Sequence, residues 1–191
     1  MDYFIIIIFS YLLGSIPFGL LLTKVFLNKD IRDIGSGNIG ATNVLRSGNK
    51  LMGYLTLFLD IVKAVIPVIY IKLNYPDFIY ISSLSVFLGH VFPIWLKFKG
   101  GKGVASYVGI LFCISLIYGL VFGIVWILIF LFSKYSSLAS LVGTLCIPIY
   151  VFIFNGNQPI FFIIMFVLIF YTHRENIKRL KNKEESKSKI Y

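Results

Sequence analysis

The chain has 191 residues, of which 58% are hydrophobic and 14% charged, with a formal net charge of +10. An ordinary soluble domain is about a quarter charged, so a chain this apolar lacks the polar surface to cover a soluble globule. It reads as an all-α, polytopic membrane helical bundle forming a single domain over 1–191. The basic residues lie in short clusters between long apolar runs, a pattern that fits topology control and anionic ligands or lipid, not nucleic acid.

Met1-Asp2-Tyr3 offers no basic n-region and no A-x-A-like cleavage site, so the first apolar run is expected to be a retained helix. Runs compatible with membrane crossing, which takes about 20 apolar residues, fall at 3–23, 53–71, 78–96, 104–132, 138–154 and 159–175. Gly14, Pro17 and Gly19 predict a kink in the first. The run 104–132 is too long for one ordinary crossing and too short for two full ones. Two short helices with a tight turn near 115–119 fit it, and charge favours that choice. Seven crossings put Lys24, Lys29, Arg32, Arg46, Lys50, Lys97, Lys99, Lys102 and Lys134 on the side of the basic C-terminal tail, leaving only Lys63 and Lys72 elsewhere. The positive-inside rule then places the N-terminus outside and the C-terminus in the cytoplasm. Five full crossings are the alternative if the short pair does not span. The charged segment from about 181 to 191 reads as a flexible tail.

Cys113 and Cys146 lie inside apolar runs, and no CxxC or Cys/His spacing exists, so buried thiols are expected, with no metal site and no cofactor.

Four polar segments stand out. Asp33 to Arg46 combines Gly35, Gly37 and Gly40 with Ser36, Asn38, Thr42 and Asn43 and the forked cation Arg46. Its formal G-x-G-x-x-G match is not a dinucleotide fingerprint, because no βαβ unit surrounds it. A donor-rich loop of this kind suits an anion. In Lys97 to Val104, Gly100, Gly101 and Gly103 are expected to turn backbone N–H groups toward an anion at a helix start, with Lys102 adding a full charge. Lys97 and Lys99 are explained as anchors alone. Ser133 to Ser140, which includes Ser137, reads as a turn with a capping serine. In His173 to Leu180, the spacing of Phe170, Ile177 and Leu180 continues the last helix, and a solvated helix end accounts for Arg174 and Lys178 better than for His173 and Asn176. Within helices, Asp60 and Lys63 stand i,i+3 and are expected to pair, since charges inside a membrane are usually partnered. His90 is open between a structural contact and a site residue. There is no G-x-S-x-G elbow and no H-x4-D box. The inventory of glycines, amides, hydroxyls and cations suits catalysis by positioning and charge stabilisation of phosphates.

Taken together, Gly14-Ser15-Ile16-Pro17-Phe18-Gly19, the Ser36–Arg46 segment, Leu59-Asp60-Ile61-Val62-Lys63, Gly89-His90-Val91-Phe92-Pro93, Lys99-Gly100-Gly101-Lys102-Gly103-Val104-Ala105, Tyr135–Ser140 and His173–Leu180 resemble the bacterial membrane acyl-phosphate:glycerol-3-phosphate acyltransferases, the PlsY family. Ala64 replaces the family's usual glycine after Lys63. The resemblance implies seven transmembrane helices in the bacterial plasma (inner) membrane, with an active site at the cytoplasmic face. It implies transfer of a fatty acyl group from acyl phosphate to the 1-hydroxyl of glycerol 3-phosphate, giving lysophosphatidate and phosphate. It also implies catalytic roles for Ser36, His173 and Asn176. Substrate or phosphate binding falls to Arg46, Lys102, Gly100, Gly101, Gly103, Ser137, Asn38 and Lys50. Glu175, Asn43, Asp60, Lys63 and His90 would have supporting roles. The expected partners are the two substrates and membrane lipid, and a monomer is compatible with the sequence. The rival reading is a transporter of phosphate or a phosphorylated small organic anion, although transporters place their sites near the midplane, often within internal repeats that are not seen here.

Overall fold

The computed structural model describes residues 3–187. It is built of helices, short 3₁₀ turns and loops, and its chain forms two compact units, Met1–Ile114 and Ser115–Tyr191.

In the first unit, α1 (Tyr3–Gly14) breaks before α2 (Phe18–Leu27). Pro17 has no backbone N–H and disfavours helical backbone at Ile16, so the helix breaks there. Outside both helices, Ile16 O accepts from Phe18 N at 3.1 Å and from Lys63 Nζ at 2.7 Å. A loop and the short α3 (Ala41–Arg46) lead to α4 (Lys50–Asn74), whose N-terminus is capped by Asn49 accepting from Met52 N at 2.9 Å. At 25 residues α4 is about 37 Å long, enough to cross the hydrocarbon core. It is the post against which α1, α2, α3, α5 (Ile79–Val91) and α6 (Val104–Ile114) pack.

Small residues set these contacts, as expected where lipid removes most of the hydrophobic drive between helices. A Cβ on Gly14 would strike the Val86 backbone, and one on Gly89 would strike Tyr11 O, so α1 and α5 meet backbone to backbone. Ser10 and Ser82 share a buried 2.9 Å hydrogen bond across the same seam. Lys72 Nζ donates to Cys113 O at 2.6 Å, satisfying a carbonyl at the end of α6.

The second unit packs α7 (Leu116–Ser133) on α8 (Ser136–Ile153) and α8 on α9 (Pro159–Thr172). Gly143 of α8 admits the Phe122 ring of α7, a Cβ there standing 3.1 Å from the ring edge. The expected turn in the run 104–132 is a break at Ser115, whose backbone is extended (φ −153°, ψ 133°). The last helix does continue past α9, but as a separate α10 (Arg174–Lys181) bent by 61°. His173 makes the bend: its N–H is shared between the Ile169 and Phe170 carbonyls, and its ring Nδ1 also takes Ile169 O at 2.8 Å.

The outside of the helices is apolar. Phe4, Phe132 and Phe152 leave 77%, 87% and 79% of their surface uncovered, which marks a protein surrounded by lipid, while Ser10, Thr23, Thr56, Ser82 and Thr144 are buried. Among the described residues five helical stretches are long and apolar enough to cross a membrane, or six if α9 and α10 count as one span; α6 is apolar but shorter.

Candidate active site

The loop from Asn28 to Gly40 lies over a small core of Leu20, Ile31, Ile39, Val44 and Met52. Asn43 holds its shape. The buried amide Nδ2 donates to the carbonyls of Ile31 (3.1 Å), Ile34 (2.8 Å) and Asn38 (2.9 Å), and Oδ1 accepts from Ser36 N at 2.9 Å. Asn38 Oδ1 accepts from Gly40 N at 2.9 Å, an Asx turn that leads into α3. Gly35 and Gly37 have φ of +58° and +68°, a conformation that L side chains rarely adopt. A Cβ on Gly35 would lie 4.0 Å from Arg46 Cβ, so the start of the Arg46 side chain passes beside the Gly35–Ser36 turn. Ser36 and Arg46 are both exposed there. The structure thus brings Ser36, Asn38, Asn43 and Arg46 into one loop-and-helix element. Lys50 opens α4 four residues after Arg46 and is exposed.

Arg32 is spent elsewhere. Its Nε and Nη2 hold Asp30 at 2.9 and 2.6 Å, and Lys24 lies 3.4 Å from the same carboxylate. The Arg32 guanidinium keeps the Asp30 carboxyl well below the usual carboxylate range.

The Gly100–Gly103 loop differs from the sequence expectation in one respect. The N–H groups of Gly100 and Gly101 do not face outward for an anion. They donate to Val91 O (3.0 Å) and His90 O (3.1 Å) at the end of α5. The glycines are demanded by packing: a Cβ on Gly100 would meet the His90 carbonyl, on Gly101 the His90 imidazole, and on Gly103 the Phe87 ring. Lys102 is half-buried and lies directly ahead of α6.

Beneath the loop is a buried charge cluster. Lys63 Nζ stands 2.8 Å from Asp60 Oδ1, with both side chains 3% exposed. Ser106 Oγ donates to Asp60 O at 3.2 Å. His90 Nδ1 lies 3.8 Å from Asp60 Oδ1, too long for a hydrogen bond. Asp60, Lys63 and His90 therefore join the break at Ile16, the end of α5 and the glycine loop into one support. Trp95 adds a strut from the 3₁₀ turn after α5, donating from Nε1 to Ser15 Oγ at 2.7 Å.

The second unit carries its own polar set. His173 and Asn176 are each 3% exposed, and Ser137, in the first turn of α8, is 7% exposed. Because His173 Nδ1 faces a carbonyl, it is the protonated nitrogen of the neutral ring, and Nε2 carries the lone pair. Glu175 is exposed. Sequence reasoning missed the residue that ties this set together. Glu185 Oε1 accepts from Asn176 Nδ2 (2.7 Å) and Ser137 Oγ (3.0 Å), and Oε2 accepts from Arg179 Nε (2.7 Å). Burial pushes the Glu185 carboxyl up, but the hydrogen bonds from Arg179, Asn176 and Ser137 outweigh it and hold it below its usual value, so it is ionised at neutral pH. The expected flexible tail is therefore anchored through Glu185; residues 188–191 of that expectation lie outside the described residues.

The fold and these polar sets define a polytopic membrane protein with donor-rich segments at its loops and helix ends. The glycerol-3-phosphate acyltransferase family model matches residues 4–183, and the chain belongs to that family. It is 72% identical to a glycerol-3-phosphate acyltransferase of Pelagibacter ubique (strain HTCC1062) over the full length of both chains. It is 45% identical to one from Mesorhizobium japonicum, over 95% of this chain and 93% of that one. A crystal structure of PlsY (YgiH), an integral membrane glycerol 3-phosphate acyltransferase, in its glycerol 3-phosphate form superposes with a TM-score of 0.92 at 38% identity, covering 97% of this chain and 94% of that one. The lysophosphatidic acid form of PlsY gives a TM-score of 0.88 at the same identity and coverage.

Proposed function

We infer that this protein transfers a fatty acyl group from acyl phosphate to the 1-hydroxyl of glycerol 3-phosphate, releasing lysophosphatidate and inorganic phosphate. The observation that carries the reading is a relative matching nearly the whole chain that has been solved in a glycerol 3-phosphate form and a lysophosphatidic acid form. Those two molecules are the acceptor and the product of one acyl transfer. The single family match running from 4 to 183 supports one acyltransferase domain.

The chemistry asks little covalent work of the protein. Acyl phosphate is already activated, because phosphate is a good leaving group. The acceptor oxygen attacks the acyl carbon, the new ester bond forms, and the bond from that carbon to the phosphate oxygen breaks. What remains is positioning and charge neutralisation. Lys102 and Arg46 supply cations for the glycerol phosphate, with Lys50 as a further basic neighbour, and Ser36 supplies a hydroxyl from the loop that Asn43 and Asn38 hold. Gly100, Gly101 and Gly103 let the Lys102 loop seat on α5. Ser137 and Asn176 supply neutral donors for the second phosphate. His173 accepts the acceptor's proton through Nε2, its ring oriented by Ile169 O. Asp60, Lys63 and His90 hold the support, and Glu175 shapes the start of α10.

We place seven helices across a bacterial plasma membrane, with the N-terminus outside and the active site at the cytoplasmic face. At 11 residues α6 is only about 16 Å long, half the hydrocarbon thickness. The preceding loop makes up the difference by entering membrane depth, where non-helical backbone is tolerated only if protein buries it. Gly101 and Gly103 are buried, and the N–H groups of Gly100 and Gly101 have protein partners, in keeping with that placement.

The test is product formation from a panel of donors. Purified protein in detergent, given glycerol 3-phosphate, should form lysophosphatidate with acyl phosphate and not with acyl-CoA or acyl-carrier protein. Equal turnover with acyl-CoA would overturn the donor assignment.

A further inference from the structure

We propose that Glu185 is a built-in stand-in for phosphate: its carboxylate sits in an oxyanion subsite formed by Ser137, Asn176 and Arg179, and must leave before a phosphate oxyanion binds there. The proposal rests on the reading that Ser137 and Asn176 contact substrate, and it adds Arg179 as the subsite's cation.

Three observations carry it. Among the described residues, the groups bonded to the carboxylate are donors, a hydroxyl, an amide N–H and a guanidinium N–H, at 2.7 to 3.0 Å. Donor-only surroundings with one cation are what a phosphate oxyanion requires. The same donors cannot hold a carboxylate and a phosphate together, since two anions would share one cation at contact distance.

The return of the chain is encoded locally. After α10, Lys183 adopts a left-handed conformation (φ +60°), with its N–H on Leu180 O at 3.2 Å and Glu184 N on Arg179 O at 2.8 Å. Such a helix-ending turn sends the chain back along the helix and presents Glu185 to Arg179. Finally, the segment is held lightly. Glu185 is 8% exposed, whereas Glu184, Ser186 and Lys187 on either side of it are exposed. A segment whose Glu185 alone is buried can be displaced by a ligand that satisfies the same donors.

The experiment compares full-length wild type with Glu185→Ala in detergent. Removing the stand-in should lower the apparent KM for a phosphate-bearing substrate without lowering kcat, and inorganic phosphate should inhibit at lower concentration. If the seated form holds nine molecules in ten, both changes are about tenfold, because apparent affinity scales with the competent fraction. A fall in KM for acyl phosphate alone assigns the subsite to the donor, and a fall for glycerol 3-phosphate alone assigns it to the acceptor. Should Glu185→Ala aggregate, Glu185→Gln keeps the shape, removes the charge and should move the constants in the same direction. A lower kcat with unchanged or raised KM values would overturn the proposal and make Glu185 a structural clasp. Thermal stabilisation by inorganic phosphate gives a readout independent of turnover, and it should be larger in Glu185→Ala than in wild type. Wild-type protein with no acyl transfer but with that phosphate response would sink the reaction assigned above while leaving the subsite standing. An active wild type with no difference between the proteins would sink the stand-in.

Discussion

At the scale of single residues, two side chains carry the sharpest tests of the proposed reaction. Lys102 is a point charge at the start of α6, in a loop whose Gly100 and Gly101 N–H groups are spent on His90 and Val91 carbonyls. In the proposed reaction its cation neutralises a substrate phosphate. Lys102→Ala should raise the apparent KM for glycerol 3-phosphate by about tenfold or more, the equivalent of a charge-assisted hydrogen bond of about 1.5–3 kcal/mol. An unchanged KM would remove Lys102 from the site. His173 is oriented through Nδ1 by Ile169 O. Its replacement by Ala should lower kcat by about 10²–10⁴-fold, the usual worth of a positioned base, with substrate affinity retained. A small loss would give the proton to the donor's own phosphate instead. Lys102 and His173 stand out in the sequence as residue types beside glycines and at a helix end. The true reason for the glycines does not. It lies in Phe87 and His90, whose ring and carbonyl become neighbours of the loop only after α5 and α6 pack on α4.

At the scale of elements, the break between α1 and α2 and the buried pair on α4 form one device. Pro17 breaks the helix, Lys63 donates to the Ile16 carbonyl at the break, and Asp60 neutralises Lys63. Lys63→Met should destabilise the protein by about 3–5 kcal/mol, because it leaves Asp60 as a buried, unpaired charge. The double change Asp60→Leu, Lys63→Met should be much milder. A single variant as stable as wild type in thermal unfolding would contradict this account. The kink and the pairing follow from Pro17 and from i,i+3 spacing, so both could be expected from the sequence. The anchored tail could not. A run of Lys and Glu reads as solvated chain, and the non-glycine left-handed turn at Lys183 that brings Glu185 back has no strong local signature. The tail also carries a pH dependence. The folded-state value of the Glu185 carboxyl lies below its unfolded value of about 4.3. Its contribution is therefore complete above that pH and is lost as pH falls through the lower folded value. Limited proteolysis after α10 should be slow at pH 5 to 8 and quicken below about pH 4. Equal cleavage at pH 7 and pH 3 would remove the anchor.

At the scale of the whole molecule, the proposed topology and site give the basic residues two jobs. Lys24, Lys29, Lys97, Lys99 and most of the tail need only the positive-inside rule. Arg46 and Lys102 are set in built polar segments and are assigned to phosphate. The proposed topology predicts that single cysteines at positions 29 and 181, in a background lacking Cys113 and Cys146, react with an impermeant thiol reagent only from the cytoplasmic side. Cysteines at 74 and 157 should react only from outside, and the reverse pattern at any one of them would break the seven-helix arrangement. The rival of phosphate transport differs from acyl transfer in what it does without compartments. Detergent-solubilised protein, supplied with acyl phosphate and glycerol 3-phosphate, should release one inorganic phosphate for each lysophosphatidate formed, and none when glycerol 3-phosphate is omitted. No release in detergent, together with phosphate flux in sealed vesicles, would contradict the acyltransferase assignment.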